Sequence, residues 1–231
     1  MTEPSLSATR ADEQAEVLRR LEDDIIFGRL APGARLVEDT LTARYGASPH
    51  DIRQALVQLE RTGVVRREKN VGATVSSYSP EEVRQIYEVR EMLTRQAALK
   101  IALPASPDFI ARLKEIQADY GRHADAGDLR GIHETNDLFH VVLFSGCGNP
   151  DLVRSLQDHM GLTLVMRAKN LADKEGLALS RRQHDIMIEL LQGTDHWALA
   201  QLCVDHMQYS KADYLERSAN SASKGRFEFA D

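Results

Sequence analysis

Long apolar runs are missing from this chain of 231 residues. No stretch approaches the roughly 18 apolar residues that crossing a bilayer takes, and the start, MTEPSLSATRADEQ, lacks the basic-then-apolar order of a secretory leader. A cytoplasmic location is therefore expected. Cysteine is scarce: Cys147 and Cys203 stand far apart, and without an export signal they are expected as free thiols rather than a disulfide. No glycine-rich phosphate loop is present, nor a carboxylate pair or nucleophile at a recognisable spacing, which leaves the common hydrolase and nucleotide chemistries without a carrier. Positive charge is also short, with 29 Lys+Arg against 35 Asp+Glu, for a net charge of −6. That excludes a protein that coats nucleic acid over its whole surface, but not one with a single basic face.

What is present is ordinary for a soluble, helix-rich protein: 42% hydrophobic and 28% charged residues, in a length with room for two cores. Residues 1–10 are polar and expected to be disordered. From Ala11, the positions Val17, Leu18, Leu21, Ile25 and Ile26 fall on one helical face that ends near Gly28. Pro32-Gly33 marks a turn. A short helix over about 38–45 closes at Gly46, and Ser48 is placed to cap a third helix with Pro49 at its first position. Ile52, Ala55, Leu56 and Leu59 form the buried stripe of that helix. Two short β segments follow, 64–67 and 73–77, joined by EKNVG, which has the Asn and Gly of a hairpin loop. Around that loop Arg61, Arg66, Arg67 and Lys69 face only Glu68, the one clear basic cluster in the chain. Three helices and a hairpin within residues 11–77 predict a winged helix-turn-helix. Residues 78–80 read as a linker. The remainder predicts an all-helical bundle over 81–218, with helices at about 80–103, 106–125, 128–146, 149–170, 176–193 and 195–218, and a mobile Ser/Ala/Gly-rich tail over 219–231. The fold class is thus mainly α.

These residues resemble a known family. The stretch GRLAPGARLVEDTLTARYGASPHDIRQALVQLERTGVVRREKNVGATV is similar to the GntR-type DNA-binding domain, and NDLFH, QHDIMIELLQGTD and a His-containing last helix resemble the FCD ligand-binding domain of the FadR-like subgroup. The resemblance implies a transcription regulator that binds double-stranded DNA as a homodimer on a near-palindromic operator and responds to a small-molecule effector. Ser48, His50, Arg53 and Gln54 on the third helix are the expected DNA-facing residues, with Arg53 standing at the family's DNA-contacting Arg. Arg66, Arg67, Lys69, Asn70 and Gly72 on the hairpin are expected at phosphates or a minor groove. Pro49 and Asp51 depart from the family's commoner residues, so the operator sequence does not follow.

In the second domain, Asn136 and His140 are one turn apart beside Ile132, Phe139 and Leu143. His184 lies with Met187 and Leu191, and His206 with Leu199, Leu202 and Cys203. A lone histidine on an apolar face is ordinarily a hydrogen-bonded core residue. Three on facing helices, with an Asn, point instead to a shared metal that satisfies all of them. The resemblance agrees, since many FCD domains hold a divalent metal with an Asp-x-x-x-His, His, His set, for which this chain has Asn136 in first place. Imidazole-rich ligation suits Zn, Ni, Fe or Co. Arg90, in IYEVREML, resembles an Arg that reaches the cavity and pairs with an effector carboxylate, though by sequence alone it fits a surface cation equally well. The rival functions are a metal-dependent enzyme on a helical bundle and an effector-independent DNA-binding protein.

Overall fold

The computed structural model describes residues 10–68, 72–171 and 173–224, which form two compact units meeting in sequence at Ser77 and Tyr78. Among the described residues no helix is long and apolar enough to cross a membrane.

The first unit contains α1 (Arg10–Ile26), β1 (Arg35–Leu36), α2 (Glu38–Tyr45), α3 (Pro49–Arg61), β2 (Val65–Glu68) and β3 (Gly72–Val75). Its core includes Leu21, Ile25 and Ile26 of α1 and Ile52, Leu56 and Leu59 of α3, and α2 packs against α3 as well. Gly46 ends α2 at φ +64°, a left-handed cap that side chains with a Cβ rarely adopt. The sheet order is β1-β3-β2, antiparallel throughout, with Arg35 opposite Thr74 and Val65 opposite Val75. Strand β1 was not anticipated by the sequence, where Pro32-Gly33 reads only as a turn. The turn forms, but it is pinned to the hairpin: Gly33 N–H donates to the Val75 carbonyl at 3.0 Å and Val75 N–H donates to that of Ala34 at 2.9 Å. Asp24 of α1 is also buried, where Arg44 (2.5 Å) and Tyr45 (2.8 Å), together with Arg29, hold its carboxylate and keep it below the usual carboxylate range.

The second unit comprises α4 (Pro80–Leu99), α5 (Pro107–Ala126), α6 (Leu129–Ser145), α7 (Pro150–Leu162), α8 (Leu164–Leu171), α9 (Lys174–Leu190), α10 (His196–His206) and α11 (Gln208–Lys224). Its main core gathers Leu113, Ile116, Phe139, Leu143, Met187 and Leu199, and a second cluster joins Tyr87, Met166 and Tyr214. Both cysteines are buried free thiols.

Four sequence expectations need correction here. Residues 78–80 are no free linker: Tyr78 is buried, exchanging two 3.2 Å hydrogen bonds with the Tyr214 hydroxyl, and Ser79 with Glu82 forms a capping box on α4. The helix expected over 149–170 breaks at Thr163, whose hydroxyl donates to the carbonyls of its own preceding turn, His159 and Met160, each at 3.1 Å. The helix expected over 195–218 breaks at Met207, which is buried in the second cluster. Helix α11 runs to Lys224, past the start of the expected tail at 219, where Ser218, Ala219, Ala222 and Lys224 carry no helix breaker among them. Residues 1–9 and 225–231 lie outside the described residues.

Candidate functional site

In the first unit α3 is capped by Ser48, which accepts from Asp51 N–H at 3.2 Å and donates to the Asp51 carboxylate at 2.5 Å. Gln14 of α1 also donates to Asp51 at 2.8 Å. Ser48 is thus occupied by capping, and the charge of Asp51 is spent within the unit at the positive end of α3; the Ser48 bond comes first among the causes that lower its pKa. Next to it His50, Arg53 and Gln54 are all exposed, on the side of α3 away from Ile52, Ala55 and Leu56. Among the described residues Arg53 pairs with the half-buried Glu38, at 3.7 Å. Arg67 pairs with Glu60 at 3.1 Å, Arg66 is half-buried and Gly72 is exposed. Lys69 and Asn70 lie outside the described residues. Exposed pairs of this kind are weak, so a phosphate can replace the acid at little cost.

In the second unit five of the sequence candidates come together. His140, His184 and His206 each offer a ligand nitrogen, and these atoms lie within 4.8 Å of one another. Asn136, one turn before His140 on α6, lines the same cavity, as does Arg90 from α4. The imidazoles are held from behind. Gln117 on α5 donates its amide N–H to the Arg181 carbonyl and to Asp185, each at 2.9 Å, so its oxygen faces His184 Nδ1 at 3.1 Å and accepts from it. That bond puts the proton on Nδ1 and leaves the lone pair on Nε2, which is buried and without any partner. Gln183 Oε1 accepts in the same way from His206 Nδ1 at 2.8 Å. The Nε2 atoms of His140 and His206 face each other at 3.1 Å, where one proton serves both. Phe139 stacks on His184 with centroids 4.0 Å apart, fixing the ring plane.

Burial comes first among the causes that push all three imidazoles toward their neutral forms, His206 to about 3 and the other two well below the ordinary value. Arg90 and Arg167, both buried, reinforce this for His140 and His206. His184 has what a divalent transition metal requires of a ligand, a neutral imidazole with Nδ1 held by an amide oxygen and Nε2 unpartnered; His206 has the amide-held Nδ1, and a metal would take the place of the proton it shares with His140. The donor set therefore fits a metal, which His140, His184 and His206 can hold with the Asn136 carbonyl beside them.

Arg90 is buried, which removes the surface alternative. Its Nη1 donates to Thr163 Oγ1 at 2.9 Å, while Nε has no hydrogen-bond partner. Sequence reasoning missed Gln117, Gln183, Thr163 and Arg167. Arg167 makes a two-pronged pair with Asp137 at 2.6 and 2.8 Å, holding that carboxyl at about 2 against the pull of burial. A polar residue beside a site histidine carries no periodic signal of its role; only Gln183, adjacent to His184, stood where inspection could have found it. His133 is buried, 4.0 Å from Asp137, while the rings of His123 and His159 are taken by Asp128 and the Ser155 carbonyl.

A winged helix followed by an all-helical unit with an internal polar cavity defines a DNA-binding regulator class, and comparison with known proteins agrees. Residues 13–75 match the family of bacterial regulatory proteins of gntR type, and residues 85–209 match the FCD domain. The chain belongs to the GntR family of transcriptional regulators, in the branch with an FCD domain. Among curated relatives, the transcriptional regulator McbR of Escherichia coli is 24% identical over 62% of this chain and 64% of its own length. The repressor RspR of the same organism is 23% identical over 89% of this chain and 90% of its own. The solved E. coli McbR/YncC structure matches with a TM-score of 0.67 at 22% identity, covering 89% of this chain and 98% of that one, which supports the fold. The matched curated proteins are named as regulators, not enzymes.

Proposed function

We propose that this protein is a transcription repressor whose operator affinity is set by a small carboxylate bound, with a divalent transition metal, in the cavity of the helical unit. The observation that carries the sensing half is the unpartnered Nε2 of buried His184, aimed among the other two imidazoles. His140, His184 and His206 would hold the ion with Asn136, and Arg90 would receive the carboxylate. The metal would supply positive charge and exchangeable positions for an oxygen ligand. The cavity is small, about 40 Å³, room for roughly three waters, which favours a compact acid over a drug-sized ligand.

The DNA half rests on the exposed His50, Arg53 and Gln54 of α3, with Arg66 and Arg67 on β2; Lys69 and Asn70 would join them by their place in the sequence. Gly72 lets the backbone approach a phosphate. One such module makes few base contacts, so two copies related by a two-fold axis would read a near-palindrome. Location in the cytoplasm follows from this role. Selection of bound duplexes from a random pool tests the reading: enrichment of an inverted repeat supports it, and recovery of no preferred sequence overturns it. Metal analysis of the purified protein tests the sensing half in the same way, a stoichiometric metal supporting it and a metal-free protein with no heat of carboxylate binding opposing it.

A further inference from the structure

The cavity around the imidazoles is lined by two arginines and by no carboxylate. Its nearest acid, Asp137, turns both oxygens to Arg167 at 2.6 and 2.8 Å, so it balances that cation rather than the cavity. Arg90 is left over, buried and held by a neutral hydroxyl, with Nε unpartnered. The donors that remain for a metal are three neutral nitrogens and the carbonyl oxygen of Asn136, whose amide nitrogen donates to Asp137 at 3.2 Å. A divalent ion placed among them adds two positive charges beside two buried guanidiniums, Arg90 and Arg167, and the one carboxylate beside the donors, Asp137, is already paired with Arg167. In a low-dielectric interior such an accumulation opposes binding unless an anion enters with the ion.

We propose that this protein retains its metal only together with a small carboxylate, whose charge offsets both the ion and Arg90, so that metal and acid bind as a coupled pair. The inference rests on the metal-site reading above and goes beyond it. The neutral side chain of Asn136 sets the coupling, because an acid at that position would supply the missing charge from within the protein. Ser180, Gln183 and Ser210 line the same cavity and offer hydrogen bonds to a hydroxylated acid. The sensor then reports the coincidence of metal and acid rather than either one. By linkage each tightens the binding of the other by the same factor.

The test is Zn²⁺ affinity of the full chain, read by competition with a chromophoric chelator, in chloride buffer and again with acetate or lactate added. The expected result is about tenfold or greater tightening by the acid. Asn136→Asp should bind Zn²⁺ tightly in chloride alone and lose most of the tightening. Arg90→Gln, checked for folding by circular dichroism, should bind Zn²⁺ more tightly than the unaltered protein in chloride, because one cation is gone, and gain less from the acid. Equal Zn²⁺ affinity of the unaltered protein in both buffers overturns the coupling while leaving the metal site intact. Absence of Zn²⁺ binding in either buffer removes the site as well. Full tightening retained in both variants overturns the roles given to Asn136 and Arg90.

Discussion

Asp137 lies next to Asn136 in sequence, and replacing it by Asn distinguishes a charge partner from a metal ligand. The structure gives its carboxylate two hydrogen bonds to Arg167. The Arg167 side chain is 8% exposed and that of Asp137 32%. Removing one member of a buried ion pair costs about 3–5 kcal/mol, because the remaining charge stays desolvated. Partial exposure of the aspartate moves the expectation to the lower end, about 3 kcal/mol. For a unit of this size that lowers the melting temperature by about 6–12 °C. The assay is thermal unfolding of the full chain in excess chelator, followed by Zn²⁺ titration of the same variant. The structure predicts a large loss of stability in the metal-free protein and Zn²⁺ binding that is weakened by the unbalanced Arg167 but not abolished. Unchanged melting in chelator, together with abolished Zn²⁺ binding, would refute the reasoning and make Asp137 the ligand.

Other expectations follow from the same geometry. Arg53→Ala should weaken duplex binding by about 1–3 kcal/mol without altering the melting temperature, since its side chain is 55% exposed and pairs with Glu38; anisotropy with a selected duplex reads the first and calorimetry the second. Gln117→Leu should release the His184 tautomer and lower Zn²⁺ affinity about 10–100-fold, measured by chelator competition. Because the folded-state pKa of each cavity histidine lies below its unfolded value, the metal-free helical unit should lose stability as pH falls from about 6.5 towards the value of about 3 for His206. A chemical-denaturation series across that window checks the sign, and stability that rises on acidification would contradict the neutral assignment.

The winged-helix order was legible because each of its elements is announced locally, by the Ser48-Pro49 cap, the stripe Ile52, Ala55, Leu56, Leu59, and the glycines at turns. The three histidines and Asn136 were legible because each shares a helical face with core residues. What escaped depends on contacts between distant segments. Strand β1 is two residues long and exists only through Thr74 and Ala73 of β3. The break at Thr163 leaves the apolar periodicity on either side intact. Gln117 meets His184 across 67 positions and Arg167 meets Asp137 across 30, and neither separation has a sequence signature. Arg90 likewise meets Thr163 across 73 positions.

The central claim is that the contents of the helical cavity control duplex binding, and the most direct measurement is the full chain's affinity for a selected duplex. It is read by anisotropy with the cavity emptied by chelator and then loaded with Zn²⁺ and a carboxylate identified by calorimetry. A change of about fivefold or more that disappears in His184→Ala is the predicted result. The same duplex affinity in the empty and the saturated protein would contradict it.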